Sequence, residues 1–471
     1  MMTNAEVASA DDYIALAIER ARGLRRPVLL AVSGAVAPPE DLLSWVHRAG
    51  GNEGRSFFWE RPADGFAVAA LGETVAVRGH GASRFADVAA ACDALIADAV
   101  VDRDSRDVGA PLFVGGFAFA ANVEETGPWC GFPQGLMVLP RLLIVRHRHR
   151  ATFTATCMVA ADSEPPEVAR RLRADVERLR RCATAARGKP ADGPIAIRCQ
   201  SASTPPVSRW QQAVRDTLED IAQGRLEKLV LARSCTVAAD RRLDCGRILR
   251  HLRTTYPSCV LFWIGTADGD FLGATPEPLV RRSGRHVTTA AIAGSTAPGA
   301  SAADASALAQ ALQRSDKDRL EHAIVVRAIA DALRPVCATL DVAAEPQLLR
   351  LDNVQHLMTP IAGTLRVPHR VLDLVDRLHP SPAVAGHPRA AALQLLPQRE
   401  ALSRGWYAGP IGWMDARHDG EFAVAIRSAL VRGAEAALFA GAGIVAGSDP
   451  DAELDETRLK LQPLLSALTE A

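Results

Sequence analysis

The stretch LFAGAGIVAGSDPDAELDETRLK, residues 438–460, holds the two patterns that decide the fold of this chain. Its first half is apolar, rich in small residues and ends in glycine, which predicts a buried strand that runs into a turn. In its second half, Glu453, Glu456 and Lys460 recur at helical spacing and share one face of a predicted helix. Ser448 lies between the two halves and is the expected N-cap of that helix. A strand followed directly by an amphipathic helix is typical of a mixed α/β fold.

A second predicted helix carries an acidic pair with the same spacing. Asp318 and Glu321, in the motif KDRLEH, are three residues apart, and Glu453 and Glu456 repeat that spacing. Because residues three apart project from one face of a helix, two such helices can offer carboxylates to a hard cation between them. Mg²⁺ fits such a site better than Zn²⁺, since no cluster of Cys or His accompanies the carboxylates. Each pair alone is also typical of a solvated helix face, so the spacing leaves both interpretations open.

The chain divides into two halves of different character. Before residue 200, apolar runs such as PVLLAVSG (27–34) alternate with helical stretches, and no catalytic motif is apparent. An arginine-rich amphipathic helix and the polar segment GKPADGP (188–194) then predict a boundary. We therefore expect an N-terminal α/β half over residues 1–200 and a catalytic half over residues 201–471.

The bulk composition excludes several classes of function. Lys and Arg total 54, as do Asp and Glu, so this chain of 471 residues has no general attraction to nucleic acid or to an anionic membrane. No apolar run is long enough to cross a bilayer, and the N-terminal residues include no apolar core segment. Nine cysteines without CxxC pairing indicate reduced thiols. A cytoplasmic protein that acts on a small molecule is expected.

Nine motifs in the second half carry a family resemblance. They are, in order, KLVLAR (228–233), GATPEPLV (273–280), AIAGST (291–296), KDRLEH (317–322), NVQHLMTPIAGTL (353–365), LHPSPAVAGHP (378–388), RGWYAGPIGW (404–413), FAVAIRSALV (422–431) and GAGIVAGSDPDAELDETRLK (441–460). In this order they resemble the chorismate-utilising enzymes, and among these the isochorismate synthases most. The resemblance implies one large monomeric α/β fold of layered, mainly antiparallel sheets with helices. It also implies magnesium-dependent conversion of chorismate to isochorismate.

The resemblance assigns the two groups that transfer protons. Lys228 of KLVLAR is implied as the general base that deprotonates the attacking water, and Glu277 of TPEP as the general acid that protonates the leaving C4 hydroxyl. Taken alone, a lysine at the start of a strand is more often a salt-bridged surface residue. A glutamate beside two prolines is about as often a helix cap. The neighbouring motifs favour the catalytic interpretation.

The resemblance also implies residues for the metal and the substrate. Glu321 and Glu456 would ligate Mg²⁺ directly, and Asp318 and Glu453 would do so through water. The positions implied for substrate binding are His356, Ala383, Val384, Tyr407, Arg427, Gly441, Gly443 and Lys460. Tyr407, Arg427, Gly441 and Gly443 are expected to hold the enolpyruvyl carboxylate of the chorismate dianion. Lys460 is expected to add charge near the ring carboxylate, and His356 to make a polar contact with the substrate.

The alternatives include other reactions of the same family. Ala293 stands where aminodeoxychorismate synthases carry a nucleophilic lysine, so water is the expected nucleophile here. Ala383 and Val384 fit the isochorismate synthases, whereas salicylate synthases tend to carry threonine in that stretch. Salicylate synthase, and less so an anthranilate synthase component, stay as alternatives. The resemblance leaves open whether the product serves menaquinone, siderophore or salicylate synthesis.

Two further alternatives come from other functional classes. The segment GAGIVAG (441–447) resembles a dinucleotide fingerprint, but its glycines are wrongly spaced and no further βαβ unit follows. A catalytically silent binding subunit would have no chemical reason to retain Lys228, Glu277 and both acidic pairs together. An enzyme is therefore the favoured interpretation.

Overall fold

Two large β-sheets with helices packed on them build the fold. The computed structural model describes residues 10–37, 39, 41–50, 54–102, 111–122, 127–184 and 197–470. The helices of these residues are α1 Ala10–Leu24, α2 Leu42–Gly50, α3 Arg84–Ala97, α4 Pro165–Thr184, α5 Val207–Ala222, α6 Cys245–Thr255, α7 Ala302–Arg314, α8 Asp316–Leu333, α9 Val371–Leu378, α10 Arg389–Arg399 and α11 Pro450–Glu470. Short 3₁₀ turns lie at Pro62–Asp64 and Gly127–Trp129.

The strands alternate with the helices along the described residues. They are β1 Val28–Val36, β2 Ser56–Arg61, β3 Phe66–Leu71, β4 Val75–Gly79, β5 Val100–Val101, β6 Leu112–Phe117, β7 Gly135–Leu139, β8 Leu142–His147, β9 Arg150–Val159, β10 Ile197–Thr204, β11 Lys228–Ala239, β12 Val260–Gly265, β13 Asp270–Thr275, β14 Pro278–Ser283, β15 His286–Thr296, β16 Cys337–Val342, β17 Gln347–Arg350, β18 Gln355–Leu365, β19 Gly386–His387, β20 Pro410–Asp415, β21 Gly420–Val424, β22 Ser428–Arg432 and β23 Glu435–Ile444.

Both sheets are antiparallel almost throughout. The first sheet has the order β10-β11-β23-β22-β13-β12-β2-β3-β8-β9-β1-β5, with β19 paired to β11. The second has the order β16-β18-β15-β14-β21-β20-β6-β7-β4, with β17 paired to β18. The short pairing of β1 with β5 is parallel. The predicted class of layered, mainly antiparallel sheets with helices is confirmed. Strands from either side of residue 200 are neighbours in both sheets, and β10 itself crosses that position.

Alternate residues of the first sheet belong to two different cores. Phe57 and Trp59 of β2 join Phe113 of β6 in a core that contains side chains of both sheets. Phe58, between them, joins Trp45 of α2 in a second core beneath the helices. Because successive side chains of a strand point to opposite faces, both faces of β2 are buried. This explains why such strands are apolar throughout instead of alternating.

The two helices that carry the acidic pairs pack on two strands of the second half of the chain. α8, which contains KDRLEH, packs on β15, and α11 packs on β23. β23 in turn pairs with β11 from Leu229↔Ile444 to Ala238↔Glu435. The strand that begins at Lys228 therefore lies next to the strand that leads into the acidic helix α11.

The residue predicted as the N-cap of the last helix, Ser448, was wrong. α11 begins at Pro450, and the carboxylate of Asp449 accepts hydrogen bonds from the N–H groups of Asp451 and Ala452 at 3.0 and 2.9 Å. Asp449 is therefore the cap. Ser448 Oγ instead accepts a hydrogen bond from the N–H of Val445 at 3.2 Å and closes the preceding turn. Serine and aspartate both cap helices well, so residue type did not distinguish the two neighbours. Asp449 is the cap because Ser448 is engaged in the preceding turn.

None of the helices in the described part of the chain has the length and apolarity needed to span a membrane.

Candidate active site

A cleft with about 690 Å³ of empty space, part of it open solvent, is lined by residues from all nine motifs. It is lined by Val230, Pro276, Glu277, Ile292, Ala293, Gly294, Ser295, Glu321, His356, Ala383, Val384, Arg404, Tyr407, Ala408, Ile426, Arg427, Phe439, Ala440, Gly441, Gly443, Glu456 and Lys460. All the residues predicted for substrate binding are among them. Of the other predicted residues, Glu277, Glu321 and Glu456 line the cleft, while Lys228, Asp318 and Glu453 are not among its lining residues.

Lys228 is buried at the first position of β11. It is 1% exposed, so the alternative of a surface lysine is wrong. Its Nζ lies 2.9 Å from Oε1 of Glu321, which lines the cleft. Gly443 makes room for this pair, because a Cβ there would lie 2.3 Å from Oε1 of Glu321 and 2.9 Å from Cε of Lys228. A side chain at position 443 would therefore displace one of the two charged side chains.

Glu277 lies between β13 and β14 with its carboxyl buried in the cleft wall. Its backbone is fixed at both ends, since its N–H donates to Oγ1 of Thr275 at 3.2 Å and its carbonyl accepts from the N–H of Val424 at 3.0 Å. It caps no helix. Burial raises the pKa of Glu277 to about 7, although Lys228 and other cationic neighbours oppose the rise. A carboxyl that is protonated near neutral pH can donate a proton to a leaving group.

His356 connects the guanidinium of Arg427 to Ser295. Its Nε2 lies 3.3 Å from Nη2 of Arg427, and its Nδ1 lies 3.0 Å from Oγ of Ser295. Burial and the charge of Arg427 lower the pKa of His356 to about 3, so the ring is neutral. Because a guanidinium can only donate, Nε2 accepts and Nδ1 carries the hydrogen. Sequence reasoning missed Ser295, although it lies within the motif AIAGST.

Tyr407 and the glycines of β23 form the opposite wall. The ring of Tyr407 stacks on Phe439 with centroids 5.1 Å apart, and burial raises the pKa of Tyr407 to about 12. The phenol therefore stays protonated and can donate to an anion. A Cβ at Gly441 would lie 3.2 Å from the hydroxyl of Tyr407 and 3.0 Å from the carbonyl of Leu231. The carbonyl of Gly441 accepts a hydrogen bond from Nζ of Lys460 at 2.9 Å.

The two acidic pairs lie close enough for the charges of Glu321 and Glu456 to act on Asp318. Lys317 Nζ pairs with Glu453 Oε1 at 2.6 Å, and Lys460 Nζ pairs with Glu456 Oε1 at 2.5 Å. Glu453 Oε2 is buried without a hydrogen-bond partner. Burial raises the pKa of Asp318, and the charges of Glu321 and Glu456 raise it further.

Two of these carboxylates could hold a magnesium ion whose other ligands come from water and substrate. Among the described residues, no three Asp, Glu, His or Cys groups form a complete metal cage. Glu321 and Glu456 nevertheless both face the cleft, from α8 and α11. Mg²⁺ is usually held by one or two carboxylates together with waters and anionic substrate groups, so two facing carboxylates suffice.

Comparisons with known proteins cover nearly the whole chain. A family model described as "Chorismate binding enzyme" matches residues 16–469. The chain is 37% identical to the "Salicylate biosynthesis isochorismate synthase" of Pseudomonas aeruginosa, over 96% of this chain and 93% of that protein. It is 30% identical to "Isochorismate synthase MenF" of Bacillus subtilis, over 96% of each.

A solved structure supports the same assignment at the level of the fold. The menaquinone-specific isochorismate synthase MenF of Escherichia coli superposes with a TM-score of 0.77 at 28% identity. The superposition covers 97% of this chain and 100% of that chain, so it includes both halves and both sheets. The cleft, the match along the sequence and the shared fold agree, and this protein belongs to the family of chorismate-binding enzymes.

Proposed function

We propose that this enzyme converts chorismate to isochorismate with Mg²⁺ as its cofactor. The observation that carries the proposal is the closeness of two buried groups: Glu277 lines the cleft, and Lys228 is paired with Glu321 of the same lining. Lys228 is close enough for its charge to act on Glu277, and the pKa of Glu277 is raised to about 7. Relatives that match this chain over almost its full length carry the name isochorismate synthase.

The proposed reaction needs one base and one acid. Water adds at C2 of the ring while the hydroxyl at C4 leaves, so one proton is removed and another is supplied. We assign the removal to Lys228, whose Nζ must be uncharged when it takes the proton from water. We assign the supply to Glu277, because burial keeps its carboxyl protonated near neutral pH. Lys228 then gains one proton from the attacking water and Glu277 gives one to the leaving hydroxyl, so the net charge of the pair is conserved.

The proposed substrate is a dianion, and the cleft offers cationic and neutral donors. Arg427 is held by His356, so its remaining N–H groups are available to a carboxylate. The phenol of Tyr407 and the ammonium of Lys460 line the same cleft. Binding of the two carboxylates at fixed donors would orient C2 and C4 toward the base and the acid.

The residues that would hold Mg²⁺ are Glu321 and Glu456, with Asp318 and Glu453 acting through water. When bound, Mg²⁺ would supply positive charge that neutralises the ring carboxylate and draws electrons from the ring. The unpartnered Oε2 of Glu453 supports this assignment, because a buried carboxylate oxygen needs a donor or a cation.

Small apolar residues in the lining of the cleft bear on the nucleophile and on the product that is released. Ala293 lines it with a small apolar side chain, so no lysine amine is available there as a nucleophile and water is the proposed attacking group. Ala383 and Val384 line it without a hydroxyl. We therefore propose isochorismate as the released product and keep salicylate formation, by later loss of pyruvate, as the alternative.

Product identification tests the proposal directly. Purified protein is incubated with chorismate and Mg²⁺, and the products are separated and identified by mass spectrometry. Isochorismate that disappears with EDTA and returns with added Mg²⁺ is the expected result. Salicylate with pyruvate would favour the alternative, and ammonia-dependent anthranilate would favour the amine-transferring branch. Unchanged chorismate under all conditions would refute the proposal.

A further inference from the structure

One edge of the strand that carries Lys228 lacks a partner strand for four residues. β19 pairs with this edge at Lys228 and Leu229, and β10 pairs with it from Ser234 onward. At residues 230–233, no strand of the described chain pairs with it. A buried strand edge needs a partner for each backbone donor and acceptor, so something other than a strand must satisfy this gap.

A buried ion pair fills the gap in place of a strand. Oε1 of Glu400 accepts a hydrogen bond from the N–H of Ala232 at 2.6 Å, and Nη2 of Arg404 donates to the carbonyl of Val230 at 2.7 Å. The N–H of Val230 donates to the carbonyl of Ala385 at 2.9 Å. Glu400 and Arg404 therefore supply one acceptor and one donor in the order in which a neighbouring strand would present them.

Arg404 also connects this strand to the segment that carries Ala383 and Val384. Its Nη1 donates to the carbonyl of Val384 at 2.7 Å, and its Nε donates to Oε2 of Glu400 at 2.9 Å. The guanidinium carbon lies 4.2 Å from the ring centroid of Phe119. With four hydrogen bonds made to protein groups, at most one of its five N–H groups is left for a ligand. Arg404 lines the cleft, but its donors are directed at two backbone carbonyls and at the carboxylate of Glu400.

We propose that the Arg404–Glu400 pair positions the base: it fixes the distance between the strand of Lys228 and the Ala383–Val384 wall of the cleft. The inference rests on the proposed function, since it assigns Arg404 to the alignment of Lys228 with the substrate. Val230 is two residues from Lys228 on the same strand, so a shift of its carbonyl moves the lysine as well. A misplacement of about 1 Å at a reacting group costs about a hundredfold in rate.

The planar fork of arginine is what the geometry requires. The two carbonyls and the two carboxylate oxygens are reached by three nitrogen atoms of one rigid group. A lysine ammonium keeps the positive charge beside Glu400 but is a single point donor, so it cannot bridge both carbonyls. Arg404→Lys therefore separates the effect of the positive charge from the effect of the several donors of the planar guanidinium.

The test combines kinetics with hydrogen exchange on the full-length enzyme. Arg404→Met is expected to lower kcat at least tenfold while KM changes by less than about threefold, because the substrate donors lie on other elements. Exchange of the amides of β11 around Ala232 should become faster. Arg404→Lys should restore thermal stability without restoring kcat.

A neighbouring arginine provides the matched control. Arg399 pairs with Asp220, whose side chain is fully buried, at 2.8 Å, and it does not line the cleft. Arg399→Met also breaks a buried pair, so it should lower stability while leaving kcat, KM and the exchange of β11 near the wild-type values. A purely structural role of Arg404 would make the two methionine variants alike.

Each outcome decides one of the two proposals. A kcat of Arg404→Met within twofold of wild type, full rescue of kcat by lysine, or unchanged exchange around Ala232 would overturn the positioning role. If Arg404→Met does not fold, Glu400→Gln serves instead, because its amide oxygen can still accept from Ala232 while the charge is lost. Glu400→Gln must then lower kcat by about threefold or more with unchanged KM. Wild-type protein that leaves chorismate unchanged would refute the proposed function. Hydrogen exchange around Ala232 would then still test whether the Arg404–Glu400 pair holds β11 in place.

Discussion

Glu277→Gln gives the sharpest test of the acid assigned to this cleft. Glutamine has nearly the same shape but no proton to give, so the change should lower kcat by about 10²- to 10⁴-fold, the usual contribution of a positioned general acid. Binding of chorismate should change little. The carboxyl lies in the cleft wall with its backbone fixed by Thr275 and Val424, so the backbone should not move.

The pH dependence follows from the raised pKa of Glu277. The acid acts in its protonated form, which is half populated near pH 7 and falls to about a tenth at pH 8. In the wild type, kcat/KM should therefore fall about fivefold between pH 7 and pH 8 and about tenfold in the next pH unit. In Glu277→Gln this alkaline limb should be absent from the residual rate. Initial rates from pH 5.5 to 9, followed by chromatography of the product, measure both effects.

The raised pKa of Glu277 also makes the free energy of unfolding depend on pH. A carboxyl whose pKa rises from 4.5 in the unfolded chain to about 7 in the folded protein favours folding while it is protonated. That contribution is complete below pH 4.5 and is lost as the pH rises through 7. The loss amounts to about 3 kcal/mol in the free energy of unfolding. Urea unfolding at pH 5 and pH 8 should show it in the wild type and not in Glu277→Gln.

Glu421 provides a control for these measurements. It is also a buried glutamate whose pKa is raised by burial, but it lies on β21 and pairs with Arg61 away from the cleft. Glu421→Gln should leave kcat and its pH profile unchanged. A Glu277→Gln variant that keeps more than about a tenth of kcat, or the same alkaline limb, would refute the role of Glu277 as the acid.

Three further substitutions test other parts of the site. Lys228→Ala should abolish turnover while calorimetry still detects chorismate binding, and unchanged turnover would remove Lys228 from the base role. Glu456→Gln should weaken the affinity for Mg²⁺ and raise the Mg²⁺ concentration needed for half-maximal activity, and an unaltered magnesium titration would contradict the ligand assignment. Gly443→Ala would place a Cβ 2.3 Å from Oε1 of Glu321, so kcat should fall at least about tenfold with little change in KM, whereas wild-type kcat would show that the Lys228 pair tolerates displacement.

Much of the cleft could be predicted from the order of the motifs and the family resemblance that they carry. The acidic pairs Asp318/Glu321 and Glu453/Glu456 follow helical spacing, and the structure brings α8 and α11 to the same region. The fold class follows from strand and helix patterns joined to the order of the motifs. The polar partners of these residues were less accessible to prediction. Hydrogen bonds such as His356 to Ser295 connect residues 61 positions apart, and no spacing rule predicts them.

Local periodicity in the sequence is enough to predict which residues share a face of a helix. The protonation state of the buried groups and their alignment depend on contacts between distant segments. The pKa of Glu277 is near 7 because burial removes water from its carboxyl, and burial depends on the packing of distant segments. The edge of β11 is closed by Arg404 and Glu400, which lie more than 160 residues away along the chain. Desolvation and long-range hydrogen bonds arise only when both sheets have assembled. Desolvation raises the pKa of Glu277, and the hydrogen bonds of Glu400 and Arg404 hold the strand that carries Lys228.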